Sequence, residues 1–248
     1  LSDHELAARL ATEAGELLIG VRAELVDATA AERKDAGDKR SHDFLMAALA
    51  AERPDDAVLS EEATEEERAN SARLSADRVW IVDPLDGTRE FSELGRDDWA
   101  VHVALWKAGE LVAGAVALPA QDVTLATPDV ASPPAAPARP RIVVSRTRPP
   151  AVALAVCEAL NGVLVEMGSA GAKVASVVQG VADVYVHAGG QYEWDSAAPV
   201  AVARAAGLHT SRIDGSPLRY NQADVLLPDL IVCRPELADA VLAVTTRG

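Results

Sequence analysis

Aromatic residues are scarce, 4% of the chain, and there are only two cysteines. With 49% apolar residues and so few rings, a core has to be built mainly from Ala, Val and Leu, in the composition of a globular protein. Cys157 in "LAVCEAL" and Cys233 in "LIVCRPEL" lie in apolar settings that suit buried thiols. They do not suit a disulfide framework, and neither reads as a nucleophile. No apolar run reaches the roughly 20 residues of a membrane span. The opening "LSDHELAARL" lacks the basic-then-apolar layout of a signal peptide. Basic charge is in deficit, 23 Lys and Arg against 38 Asp and Glu, for a net charge of −15. That balance argues against the basic stripe of a non-specific nucleic-acid binder, and most of it reads as solubility. The expectation is a soluble, cytoplasmic protein with no nucleic-acid and no membrane partner. Internal repeats are absent as well.

The 248 residues suffice for one large domain or two of ordinary size. Leu6, Leu10, Ala14, Leu17, Leu18 and Val21 form one helical stripe with Ser2 as its N-cap. Leu45, Met46 and Leu49 indicate a second helix, starting after "DAGD" at 35–38 and ending before Pro54. "AVLSEE" reads as a short strand, "ATEEERAN" as a solvated helix or loop, and "RVWIVD" as a strand. "WAVHVALW" and "LVAGAVALP" around "KAGE" read as an antiparallel hairpin. After the proline-rich connection at 128–140, strands and helices alternate. The expected division is an α+β domain over 1–140 and a smaller α/β domain over 141–248.

The stretch "WIVDPLDGTREF", residues 80 to 91, carries the chemistry. Asp83 ends an apolar strand, where an open sheet presents side chains to a cleft. Pro84 fixes φ and lacks an N–H, so a sharp turn is expected that swings Asp86 back toward Asp83. Two carboxylates so close repel unless a cation lies between them or one is protonated. Gly87 and Thr88 offer backbone N–H groups to a phosphate oxygen, and the threonine hydroxyl can orient a water. Metal plus phosphate is one reading; a purely structural Asp-Pro turn is another. An EF-hand loop does not fit, because the glycine comes one position early. The D-x-D-G-T pattern of haloacid-dehalogenase-type phosphatases differs by one residue from the D-x-x-D-G-T found here.

Two distant segments add carboxylates. "LSEE" at 59–62 puts Glu61 at a strand end, and "EWDSAAP" at 193–199 puts Asp195 in the first turn of a helix. Hard divalent cations want several oxygen ligands of this kind. The set "SEE", "DPLDGT" and "WDSAAP", in that order, resembles the inositol-monophosphatase-like superfamily of Mg²⁺-dependent, lithium-sensitive phosphatases. The resemblance spans most of the chain and implies a layered α/β/α/β/α sandwich, a homodimer, and two or three Mg²⁺ ions. It makes Glu61, Asp83, Asp86 and Asp195 metal ligands, with the Leu85 carbonyl as a further oxygen and Asp86 bridging two ions. Gly87, Thr88 and Arg89 would bind phosphate. Thr88, Glu61 and a second acid from the N-terminal region would be catalytic, Thr88 and that acid positioning the attacking water. Asp38, 23 residues before Glu61, fits the family spacing for that acid, with Asp43 as competitor and helix N-cap as its ordinary role.

For the substrate, "GSAGAKVASVVQG", "EWDSAAP" and "GSPLRYN" are most similar to the CysQ-type branch, which acts on 3′-phosphoadenosine 5′-phosphate. A second phosphate calls for a basic or N–H-rich contact outside the metal cluster. Lys173, Arg146, Arg148, Gly168 and Ser169 are candidates, Lys173 foremost, although an exposed helix lysine is its plain reading. Tyr192 and His187 could contact the adenosine, while Tyr220 and Asn221 pack beneath. Inositol-1-phosphate or fructose-1,6-bisphosphate is the alternative substrate, and a catalytically quiet binding protein the alternative function.

Overall fold

The computed structural model describes residues 1–68 and 71–246. In chain order the elements are α1 (Asp3–Glu24), α2 (Ala30–Glu52), β1 (Ala57–Ser60), α3 (Glu65–Arg68), α4 (Ser71–Ser75), β2 (Arg78–Asp86), α5 (Thr88–Ser92), β3 (Ala100–Lys107), β4 (Glu110–Leu118) and β5 (Val123–Ala126). Then follow β6 (Arg141–Ser145), α6 (Ala151–Ala159), β7 (Val163–Met167), α7 (Ala170–Val178), β8 (Val184–Ala188), α8 (Glu193–Ala205), β9 (His209–Ser211), β10 (Asp229–Cys233) and α9 (Ala238–Thr245). Ala69 and Asn70, the end of the "ATEEERAN" run, lie outside the described residues.

Two five-stranded sheets form, with orders β1-β2-β3-β4-β5 and β7-β6-β8-β10-β9. In the first only β1 and β2 are parallel; in the second β7, β6 and β8 are parallel and β10 and β9 antiparallel. Three apolar clusters separate five layers. Leu6, Leu10, Leu18, Leu45 and Leu49 of α1 and α2 pack on Trp80, Val82, Val101 and Val103 of the first sheet. The opposite face, with Val79, Ile81 and Ala104, meets Val174, Val177, Ala197 and Val200 of α7 and α8, which also cover the second sheet at Val143 and Tyr185. Ile142, Val186 and Ile231 then meet α6 and α9 through Val156 and Val241. This is the α/β/α/β/α sandwich.

The capping box of α1 pairs Ser2 with Glu5, as its sequence indicates. The second helix differs from expectation. It begins at Ala30, where Thr29 and Glu32 form another capping box, and not after residue 38. The buried positions Gly37, Ser41, Leu45 and Leu49 recur every four residues, so one stripe runs through "DAGD". A mid-helix glycine costs about 1 kcal/mol. Here it serves a close approach, because a Cβ on Gly37 would stand 2.7 Å from the Phe91 ring and 2.9 Å from Leu85. Asp38 is therefore a helix-interior residue carried over α5, so its ordinary alternative, helix N-cap, is ruled out.

Candidate metal centre

No sharp turn follows Asp83. β2 continues to Asp86, with Asp83 opposite His102 and Asp86 opposite Ala100, so three steps of β2 run against two of β3. Side chains alternate along a strand, and residues three apart should face opposite ways. The bulge absorbs one residue. Val79, Ile81 and Asp83 face the α7–α8 layer, Leu85 joins the α1–α2 cluster instead, and Asp86 returns to the α7 side. Pro84, which lacks an N–H, is tolerated at such a bulge, and its carbonyl accepts the Ser41 hydroxyl of α2 at 2.6 Å.

Oxygens of Asp83, Asp86 and Asp195 lie within 4.8 Å of one another. Glu61, just past β1, is hydrogen-bonded to Asp83. Burial and the neighbouring negative charges of Glu61 and Asp86 raise the Asp83 carboxyl well above its usual value. Burial, then the Asp86 charge, pushes Asp195 up to about 7. Glu61 also rises to about 7, chiefly by burial, with the Asp83 hydrogen bond opposing and the Asp86 charge adding. Three of the four crowded carboxyls resist ionisation, as expected of a site where a cation would neutralise them, and an all-oxygen donor set suits Mg²⁺. The residues therefore fit the metal.

Asp86 is the exception. Burial pushes it up, but the His102 charge, the Ser169 hydroxyl and the Gly171 N–H outweigh burial and hold it at about 2. The hydroxyl donates at 2.5 Å, and the N–H groups of Ala170 and Gly171 at 3.2 and 2.6 Å. His102 is wholly buried, with Nδ1 3.0 Å from the Trp194 carbonyl and Nε2 3.2 Å from Asp86. A carbonyl only accepts, so Nδ1 carries hydrogen, and a proton on Nε2 as well satisfies the carboxylate. Burial lowers the His102 pKa but the Asp86 charge raises it further, in keeping with an imidazolium. The sequence reading left His102 without a role. Its signal was that it is a lone polar residue among apolar neighbours in β3, whose pairing partner runs into "DPLD".

Asp38 and Thr88 are hydrogen-bonded through their side chains, and Thr88 Oγ1 also lies 3.3 Å from the Leu85 carbonyl, a second acceptor for its one proton. Burial, then the Glu62 charge, raises Asp38 to about 7. Asp43 instead pairs with Lys39 at 2.5 Å on the exposed side of α2. Gly87 stands immediately before α5 and Thr88 is its first residue. Arg89 is exposed and pairs with Glu93 at 3.2 Å.

Lys173 is not an exposed helix lysine; 6% of it is accessible. Its Nζ donates to the Gly168 carbonyl at 3.3 Å and lies 5.5 Å from the Tyr185 ring centroid. Burial lowers its pKa against the pull of Asp86, Glu90, Asp98 and Asp195. Arg146 spends its guanidinium on Glu90 at 2.8 Å and Glu93 at 2.9 Å. Ser169 caps α7 as well as bonding Asp86, and the Gly168 N–H donates to Asp98 at 2.6 Å. Arg148 is exposed. Tyr192 is stacked on Trp194, and His187 Nε2 lies 3.1 Å from the Gly189 carbonyl. Tyr220 bonds Ser196 at 3.0 Å and the Asn221 N–H donates to Glu193 at 2.6 Å, both in the support of α8. A cavity of about 600 Å³ bounded by Thr12, Glu16 and Pro119 contains none of these groups, so concavity alone does not mark the centre.

Residues 3–130 and 141–246 match the sequence model of the inositol monophosphatase family. A 3′-phosphoadenosine 5′-phosphate phosphatase of Mycobacterium tuberculosis is 54% identical over 239 residues, 93% of this chain and 88% of its own. The 3′(2′),5′-bisphosphate nucleotidase CysQ of Escherichia coli K12 is 32% identical over 203 residues, 77% of this chain and 81% of its own. The crystal structure of CysQ from Bacteroides thetaiotaomicron superposes with a TM-score of 0.77 at 28% identity, covering 94% of this chain and 97% of that one.

Proposed function

The chain belongs to the inositol monophosphatase family, and from that premise we propose that it is a Mg²⁺-dependent phosphomonoesterase removing the 3′-phosphate of 3′-phosphoadenosine 5′-phosphate. The observation that carries the reaction is the convergence of Glu61, Asp83, Asp86 and Asp195 beside the bonded Asp38–Thr88 pair. The nucleotide is favoured by the naming of the relatives that are 54% and 32% identical.

Glu61, Asp83, Asp86, Asp195 and the Leu85 carbonyl would hold two or three Mg²⁺ ions, which when bound supply charge neutralisation on the phosphate and acidity to a water. The protein's own part begins with placement. Backbone N–H groups at Gly87 and Thr88 receive phosphate oxygens, and the Thr88 hydroxyl, its one proton given to the Asp38 carboxylate, orients the water for in-line attack through its oxygen. Asp38, whose burial raises its basicity, accepts the water proton as the new P–O bond forms and the bond to the 3′-oxygen breaks. Lys173 is the candidate for the second phosphate, its buried ammonium being worth more there than on the surface. The same reading carries a cytoplasmic homodimer, which sedimentation of the purified protein checks. Among the described residues no helix is long and apolar enough to cross a membrane.

The test is phosphate release with Mg²⁺ from 3′-phosphoadenosine 5′-phosphate, adenosine 3′-phosphate, inositol-1-phosphate and fructose-1,6-bisphosphate. Preference for the bisphosphate nucleotide and full loss with chelator are expected. Equal rates with the two nucleotides would remove the second-phosphate contact, and preference for inositol phosphate would overturn the substrate. Asp38→Asn is expected to lower the rate by about 10²- to 10⁴-fold with folding intact, the range for a lost general base. A change below threefold would transfer that role elsewhere.

A further inference from the structure

Trp194 is linked, directly or through one intermediary, to Asp86, Asp195 and Glu61. Its carbonyl receives His102, the partner of Asp86, and its chain neighbour is Asp195. Tyr192 stacks on its ring, centroids 4.9 Å apart and planes 11° from parallel, and the Tyr192 N–H donates to Asp195 at 2.6 Å. The remaining contact comes from the segment read from sequence as a solvated acidic run. The Arg68 guanidinium lies 4.8 Å from the Trp194 ring centroid, and its Nη2 donates to the carbonyl of Glu61.

Charge explains why such a contact is needed. Residues 61–67 hold five glutamates, Glu61, Glu62, Glu65, Glu66 and Glu67, next to the buried aspartates. Like charges push that segment outward from the first turn of α8. Arg68 opposes the push, and a second arginine anchors it. The Arg68 carbonyl accepts from the buried Arg73 at 3.1 Å, and Arg73 reaches Asn221 Oδ1 at 2.5 Å and the Gln222 carbonyl at 3.1 Å. The N–H groups of Asn221 and Gln222 donate to the two oxygens of Glu193, at 2.6 and 2.7 Å. Glu193 and Trp194 are the first two residues of α8 and Asp195 the third, so the tie ends where a ligand begins.

We propose that Arg68 is a positioning residue of the metal centre, seated on Trp194 and bonded to the Glu61 carbonyl so that Glu61 and Asp195 are held beside Asp83 before an ion arrives. This rests on the metal-dependent reading of the site. Groups that orient metal ligands from outside the ligand set typically change affinity 10- to 100-fold when lost.

The experiment titrates Mn²⁺ into the full chain and into Arg68→Leu and Arg68→Lys, with free Mn²⁺ read by electron paramagnetic resonance. Turnover is measured in parallel against Mg²⁺ concentration. Arg68→Leu is expected to raise the Mn²⁺ dissociation constant and the Mg²⁺ half-activation concentration about tenfold, at the low end of that range. The maximal rate at saturating Mg²⁺ should fall much less. Arg68→Lys keeps a cation over the indole but loses the planar fork, and should lie between. Trp194 emission in the metal-free protein should change in Arg68→Leu, since its ring loses a stacked cation. Unchanged Mn²⁺ affinity in both variants overturns the proposal, as does a fall in maximal rate with affinity unchanged. If the unsubstituted protein binds no Mn²⁺, the metal-dependent reading itself fails, a separate result.

Discussion

Asp83→Asn is expected to lower phosphate release by about three powers of ten or more while raising the thermal midpoint of the metal-free protein. The two effects have one cause. Asp83 is fully buried, hydrogen-bonded to Glu61 and close to Asp86 and Asp195, so without a cation it must hold a proton that the unfolded chain would release at neutral pH, which costs stability. An amide of the same shape removes a repelling group from the folded state and a ligand from the ions. Losing a ligand's share of charge stabilisation, about 4 kcal/mol, is three powers of ten in rate. The stability gain, read by melting in chelator, should be a few degrees, since 1 kcal/mol moves the midpoint of a chain this size by about 2–4 °C. A lower midpoint in chelator would mean that Asp83 supports the fold rather than burdening it.

The same groups make the stabilisation by Mg²⁺ depend on pH. Glu61 and Asp195 lie at about 7 in the folded metal-free protein against ordinary values of 4.5 and 3.8. The folded chain therefore holds more protons than the unfolded one between roughly pH 4 and 7. Their favourable effect is complete below the ordinary values and is lost as pH rises through about 7. Ions that bind the ionised carboxyls remove that loss, so the gain in midpoint on adding Mg²⁺ should be small at pH 5 and about 5 °C or more at pH 8. Asp86, depressed to about 2, works in the opposite sense and only at strongly acid pH.

Gly171→Ala is expected to destabilise the protein by about 3 kcal/mol, near 10 °C in midpoint, and to cut turnover about a hundredfold. A Cβ there would stand 2.0 Å from Nε2 of His102 and 2.9 and 3.0 Å from Cε1 and Cδ2. The ring is wholly buried and tied to the Trp194 carbonyl, so it cannot swing away freely. Either His102 leaves Asp86, or α7 backs off and withdraws the N–H groups of Ala170 and Gly171. Both outcomes unseat the carboxylate. In a His102→Ala background the added methyl loses its nearest obstacle, and the cost of Gly171→Ala should shrink by about 2 kcal/mol. Equal costs in both backgrounds would place the obstruction elsewhere.

Much of this was legible in the chain itself. The stripe of α1, its Ser2 cap, the β3–β4 hairpin and the alternation after residue 140 follow local periodicities that tertiary contacts reinforce. "SEE", "DPLDGT" and "WDSAAP" marked Glu61, Asp83, Asp86 and Asp195, because a buried cation demands carboxylates and few other residues can substitute. The start of α2 was misread because Gly37 and its charged neighbours look like a helix boundary, whereas the glycine is there for Phe91 and Leu85.

What the sequence by itself determined is the inventory: which acids could meet, with Asp38 marked as a candidate partner of Thr88 by the spacing the family resemblance implies. Only the tertiary structure decided how they meet. A bulge, not a turn, puts Asp83 and Asp86 on one face, since side-chain alternation would otherwise part them. A helix start 83 to 85 residues away in the chain and a buried imidazole from another strand hold the Asp86 pKa down while its neighbours in the centre are pushed up. Arg68 read as part of a solvated run, and the plain reading of Lys173 was an exposed lysine, because charge is normally solvated; folding placed Arg68 on Trp194 and Lys173 on Tyr185. Periodicity describes a residue's own element; the partners that change its chemistry come from distant elements, and only packing brings them near.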